Sequence, residues 1–425
     1  MTAATAATPA RGDAARRRRL VLTVGLLLLA SVGAGIAAVA VVSSGSPSTL
    51  KVNPGSRGSG GGALNGGAVV PAADLVSDPV FVNSTVGFAL ATTEHGSPAV
   101  ERLAESTDAG HTWHVTGSQF PVSGTFSTLQ FISSSDGYIF GPAGLLVTTD
   151  GGKSWQEVQG LNGRLQRAIP LLMANGQLDV WATYTTCSSG PSCTVGVAVS
   201  TDSGHEWSDV SPPGLTETSS GGDILARWSL DAAYVLSYSP SGGGGLAYTS
   251  DDGKSWTHLV DPCSGAYTSE DMAAPPPDTP TSQAPARSTS ALWLICGART
   301  SPGETGQPKL VYRSYDGGRK WSLVASTGFA GPSHAPVGEI PLSGAVSQLA
   351  TINTTQAWLG VSGLGVIVTL DSGEIWQLAD GIPTNEPDTA VGVTFNSGVL
   401  GWVVVFRRGV WRTEDAVHWA LMDGS

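Results

Sequence analysis

One short phrase recurs seven times in this chain: Ser or Thr, a spacer, Asp, a spacer, Gly, two spacers and Trp. It reads STDAGHTW at Ser106–Trp113, TTDGGKSW at Thr148–Trp155 and STDSGHEW at Ser200–Trp207. It returns as TSDDGKSW at Thr249–Trp256, SYDGGRKW at Ser314–Trp321 and TLDSGEIW at Thr369–Trp376. A shortened copy, TEDAVHW at Thr413–Trp419, lacks one residue and the Gly. The aspartates are Asp108, Asp150, Asp202, Asp251, Asp316, Asp371 and Asp415, spaced 42 to 65 residues apart. Self-similarity at that period marks stacked supersecondary units that bury their apolar faces against one another.

The second copy shows the unit. Residues 128–133 (TLQFIS) alternate as a strand does, 137–140 (GYIF) form a second strand and 145–148 (LLVT) a third. A fourth begins at 155–158 (WQEV). Gly, Pro, Ser and Asp clusters separate them, and four short strands per repeat is the composition of a propeller blade. No helical period follows residue 43. The phrase reads as a turn: Asp accepts backbone N–H groups two or three residues on, Ser or Thr supports it, and Gly supplies a left-handed conformation. The Trp buries a large ring between neighbouring blades. These residues are structural staples, not chemistry.

The phrase resembles the Asp-box, or BNR repeat, of sialidases, sortilin-type receptors, two-propeller xyloglucanases and photosystem II assembly-factor-like propellers. A strand such as Gly401–Val405 (GWVVV), followed by the phrase, is most similar to the assembly-factor-like group. The resemblance implies an all-β, seven-bladed propeller of four-stranded blades over residues 76–425, with blades near 79–119, 126–160, 168–212, 223–262, 263–327, 345–381 and 389–422. It implies no single activity, because these relatives do unrelated things on one scaffold. The chain reads as beginning on a first strand and ending on a fourth, which leaves no shared closing blade unless residues 68–71 (AVVP) add a strand to the last one.

Four arginines, Arg16–Arg19, precede Leu20–Val42, 23 residues without a charge. That length crosses a bilayer, and the basic flank orients the chain with its C-terminal side out. Residues 1–19 read as a cytoplasmic basic segment, 20–42 as a transmembrane signal anchor and 43–75 as a Gly/Ser/Pro tether. A cleaved signal peptide using Ala38-Val39-Ala40 would leave the propeller secreted, but its apolar region should be shorter.

Four cysteines suit an oxidising compartment. Cys187 and Cys193 bracket a hairpin loop, and Cys263 and Cys296 then pair around the Pro-rich insertion at 273–285. Neither spacing is that of a zinc site, and no cofactor or metal is expected. Outside residues 1–42 there are 17 basic and 33 acidic residues, a net charge of −16. That field opposes nucleic acid, whose phosphates demand basic surface.

The repeated turn joins strands three and four, so it lies at the same end as the strand 1–2 turn. In Asp-box enzymes the active site is on the opposite face. The first of the three sialidase arginines, in an R-I-P motif before the first box, has no counterpart here, since no Arg lies between Arg57 and Arg102. Arg167-Ala168-Ile169-Pro170 falls after the second box and is interrupted. No pair of carboxylates at a glycosidase separation stands out. The candidate binding residues are Arg227, Arg407, Arg408 and Arg167. Arg227 holds the first-strand register that Phe81, Phe131 and Phe395 hold in blades one, two and seven. It either points into the central channel toward an anion or stacks on a Trp and pairs with an Asp. Arg407 and Arg408 lie on the blade-seven hairpin. The chain therefore reads as a membrane-anchored, extracytoplasmic binding or assembly scaffold with a protein or glycan partner. A glycan-cleaving enzyme and a carbohydrate-binding propeller are the rival classes.

Overall fold

The computed structural model describes residues 67–92, 101–117, 120, 128–141, 144–158, 164–173, 178–187, 192–218, 222–227, 229–238, 245–263, 267–273, 291–298, 306–327, 338–383, 391–397, 399–405 and 408–422. The anchor at 20–42, most of the tether and Arg407 lie outside them. Among the described residues no helix is long and apolar enough to cross a membrane.

Seven antiparallel sheets follow one another around an axis, each beginning at the centre and working outward. In blade two the strands are Thr128–Phe131, Gly137–Gly141, Gly144–Thr148 and Gln156–Glu157. The inner strands of the other blades are Val80–Phe81, Arg164–Leu172, Gly222–Arg227, Tyr267–Ala273, Val346–Thr351 and Val391–Ser397. The fold is the seven-bladed propeller that the repeat implies. Its apolar cores lie between blades: one joins Phe88 of blade one to Phe131 and Trp155 of blade two, another joins Trp358 of blade six to Phe395 and Trp419 of blade seven.

The repeated turn is tighter than its sequence suggests. The Ser106 hydroxyl accepts the Gly110 N–H at 2.8 Å and donates to Asp108 Oδ1 at 2.8 Å, and that oxygen accepts the Thr112 N–H at 2.9 Å. The same three bonds recur around Asp150, Asp202, Asp251, Asp316 and Asp371. The carboxylate thus reaches four residues on; Asp202 also accepts from His205, three on, and in the shortened seventh copy Asp415 bonds two and three residues on, at Val417 and His418. The residue after the Asp is also left-handed, with φ of 65° at Ala109, 59° at Asp252 and 75° at Ser372. Side chains are tolerated there because the turn's bonds over-determine the backbone. The Ser154 hydroxyl and N–H hold the Asp150 carboxyl below the usual range, and Ser255 does the same for Asp251. Their stabilisation is complete above about pH 4 and is lost as pH falls below it.

That left-handed residue is the joint between blades. Its N–H donates to the strand 1–2 turn of its own blade, as from Ala109 to Thr85 O at 2.8 Å and from Ser372 to Thr355 O at 2.8 Å. Its carbonyl accepts from the preceding blade. Trp402 Nε1 donates to Ala109 O at 3.1 Å, Trp358 Nε1 to Ala416 O at 2.9 Å, and the Tyr234 hydroxyl to Gly317 O at 2.8 Å. All three donors hold one register, one residue past the partner of the turn's Ser or Thr. Phe88, Tyr138, Trp181 and Trp293 complete that ring of buried aromatics by packing, without that bond. Phe88 cannot donate and instead stacks on Phe131 at 3.7 Å.

Among the described residues no strand is shared across the ring closure. Val69–Val70 does not join the last blade; it pairs with Trp113 and His114 on the outer edge of blade one. The chain then bridges at Leu75 to Ala91, and Val70 and Leu75 pack with Val404, Val410 and Met422 of blade seven. The sheet therefore begins at Val69, inside the stretch read as tether, and this leading segment straps the seam from outside. Phe81 stacks on Trp402 at 3.7 Å beneath it. Both disulfides are formed, with Cα–Cα distances of 4.1 Å for Cys187–Cys193 and 5.6 Å for Cys263–Cys296.

Trp402→Phe keeps the stacking but leaves the Ala109 carbonyl without its buried donor. It should cost about 1–3 kcal/mol in guanidinium unfolding. An unchanged midpoint would show that the indole bond contributes nothing.

Candidate functional site

The face opposite the repeated turns carries the variable parts of the ring. Blade three dominates it. Its strands Leu178–Cys187 and Ser192–Ser200 run on past the ring, and Cys187–Cys193 closes their tip. Counted from the residue paired with the turn's Ser or Thr, Val180, this second strand extends seven residues, against four in blades two, six and seven. The difference projects the hairpin roughly 10 Å further, at about 3.3 Å per residue. Thr216–Thr218 pairs with Ser192–Thr194 on one side, and the inner strand starting at Arg164 pairs on the other. The result is a stapled, four-stranded wall beside the axis.

Around the axis, polar side chains tie four of the seven inner strands to the next. Arg167 Nε donates to Asp223 O at 2.7 Å. Asp271 Oδ2 accepts the Leu349 N–H at 2.7 Å, Gln348 Oε1 accepts the Val393 N–H at 2.7 Å, and the Thr394 hydroxyl donates to Pro79 O at 3.3 Å. These groups face backbone, and their chemistry is that of clasps. Burial pushes the Asp223 carboxyl up against the pull of Arg167. Asp78 lies against Gly392 at the blade 7–1 seam, and burial pushes its carboxyl up to about 6.

Of the candidate arginines, Arg167 is thus on this face, half-buried. Arg408 is exposed in the blade-seven hairpin, its N–H donating to Val405 O at 2.9 Å. Arg227 is elsewhere, at the turn end of its strand and 0% exposed. It stacks 4.9 Å over Trp181 and pairs with Asp179 at 2.9 Å. It also donates to Ser229 O, Asp179 O and Leu230 O. It does in blade four what Phe81 and Phe131 do in theirs, filling the slot beside the preceding blade's aromatic. Burial pulls its guanidinium down to about 10, which leaves it a cation.

A lysine that the repeat pattern did not single out stands on the same face. Lys309, fully buried on the third strand of blade five, donates Nζ to the carbonyls of Gln307, Pro341, Leu342, Ser343 and Gly344 at 2.8 to 3.2 Å. Burial pulls it down to about 8, still charged at neutral pH. It pins the connection from blade five to blade six on this face. A lysine interrupting an alternating strand, in a chain with only five lysines, was the available signal. Among the described residues no group of three His, Cys, Asp or Glu side chains is placed to hold a metal ion.

A stapled wall, a ring of self-satisfied polar clasps and a pinned connection define a rigid propeller face suited to holding a partner. No protein-family model matches the sequence, and no curated relative matches it. Solved propellers do. YCF48 bound to a D1 peptide is 17% identical with a TM-score of 0.51, covering 83% of this chain and 97% of that one. YCF48 from Cyanidioschyzon merolae is 15% identical with a TM-score of 0.49, covering 83% and 99%. An ancestral GH74 enzyme is 15% identical with a TM-score of 0.57, covering 84% of this chain and 46% of that one, so this chain spans about half its length. At these identities the shared property is the fold.

Two outcomes test the site. Asp78→Asn removes a carboxyl that must ionise in a buried place. Its stabilising effect should be absent below about pH 4 and grow through pH 6 to at most about 3 kcal/mol at pH 8. A pH-independent effect would contradict the burial. Lys309→Met removes the ammonium from five carbonyls, of which, among the described residues, Gly344 O alone keeps another donor, the Gln307 N–H, and should cost at least about 3 kcal/mol in urea unfolding.

Proposed function

We propose that this chain is a membrane-anchored, extracytoplasmic scaffold without catalytic activity, holding a segment of an envelope protein against the face opposite the repeated turns. The blade-three wall carries this reading: a long hairpin, closed by a disulfide and braced on both edges, offers fixed backbone and side chains to a partner without ordering cost on binding. Both disulfides favour the oxidising side of a membrane, and Leu20–Val42 supplies the anchor. That a YCF48 propeller is known with a bound D1 peptide supports a peptide, rather than a sugar, as the class of ligand. The polar groups at the axis already serve neighbouring strands, which suits binding better than the two free carboxylates a glycosidase employs.

Crosslinking the anchored protein in its own membrane should capture a protein attached through residues 178–200. The Cys187→Ser/Cys193→Ser double variant should capture several-fold less while keeping its far-ultraviolet spectrum. Capture only through other blades, or release of sugar from xyloglucan or sialoside substrates, would overturn the proposal.

A further inference from the structure

Among the described residues three arginines stand on strands at their turn ends, and only one of them lacks an acceptor. Arg227 has four acceptors. Arg412, just before the blade-seven turn, pairs with Glu414 inside that turn at 3.0 Å. Arg313 holds the same register in blade five and is 1% exposed. Its guanidinium lies between two rings, 4.8 Å from the Trp293 centroid and 4.1 Å from that of Tyr315. Its Nε and Nη1 are buried and meet no acceptor among the described residues. The position that supplies Glu414 in blade seven holds Tyr315 in blade five. A buried cation without a counter-charge is costly, and the stacked rings offset only part of that cost.

The surroundings are unusual in a second way. Tyr315 is 58% exposed, and the neighbouring blade-six turn exposes Leu370 (40%) and Ile375 (65%). In the other copies these two turn positions are Thr, Ser, Tyr, Glu, Lys or His. The blade-six turn reaches this place: a Cβ on Gly373 would lie 3.5 Å from the same Trp293 ring that Arg313 covers. An unneutralised guanidinium and an apolar rim therefore share one seam, on a domain whose exported part is otherwise strongly acidic.

We propose that Arg313 anchors a docking site for a protein segment carrying an acidic side chain between apolar residues. The carboxylate displaces the exposed Tyr315 ring and takes the place Glu414 has in blade seven, while its apolar neighbours lie on Leu370 and Ile375. A charge-assisted, fork-shaped pair supplies the specificity. Repulsion by the acidic surface excludes polyanions. The site is on the turn face, away from the blade-three wall, and gives the scaffold a second contact surface.

Calorimetric titration of the full chain with acetyl-Leu-Glu-Leu-amide and its Gln counterpart tests this. The Glu peptide should bind about tenfold more tightly. Arg313→Gln should abolish the preference. Tyr315→Glu, a surface change that installs the blade-seven carboxylate, should abolish it too and raise the melting temperature. Cys187→Ser/Cys193→Ser should leave it unchanged, which separates this site from the wall. Equal binding of the two peptides, no binding at millimolar concentration, or a preference that survives Tyr315→Glu would overturn the proposal. Acetate alone binding as tightly as the peptide would also overturn it, as a free-anion site.

Discussion

At three of the seven seams the peptide unit that follows the repeated aspartate ties one blade to the next. Its residue sits in a left-handed conformation, which aims the N–H at the first turn of its own blade and the carbonyl at the blade before. A blade alone is a small twisted sheet with two apolar faces, and it has no stability of its own. The aspartate's bonds fix the turn, the turn fixes the carbonyl, and the carbonyl fixes the register in which the preceding blade's aromatic ring docks. Each Asp therefore acts one seam away from where it stands, which explains why a surface carboxylate recurs so regularly in a structural role.

Closing such a ring is its weakest step, because the last seam must form between segments hundreds of residues apart. A shared blade is one solution. This chain uses packing: Phe81 on Trp402, the Trp402 indole on Ala109, and the leading segment laid across the seam from Val70 to Leu75. With the ring secured on the turn face and by clasps at the axis, the opposite face is free to vary. The wall of blade three and the Lys309 pin are built there without disturbing the repeat.

The repeat made the fold legible in sequence. The fixed spacing from Ser or Thr to Trp, the alternation of Gly137–Phe140 and Leu145–Thr148, and the Cys spacings all report local geometry that depends on few other residues. What was not legible depends on partners distant in the chain. The second left-handed residue is masked because Ala, Ser or Asp fills it in most copies. Val69–Val70 reads like any short apolar run, and its pairing with Trp113 was settled only by three-dimensional packing. Arg227 offered two readings until Trp181 and Asp179 were placed beside it. Lys309 and Arg313 look like ordinary interruptions of strands, and their meaning lies in what surrounds them: five carbonyls for one, no acceptor for the other.

Hydrogen exchange of the indole N–H groups, followed by NMR, tests most directly the claim that one joint, repeated, makes the blades a single cooperative ring. The Trp358 and Trp402 protons, both bonded across seams, should exchange only through global unfolding and give the same opening free energy. A markedly lower value at Trp402 than at Trp358 would show that the closing seam opens by itself, and would contradict the account.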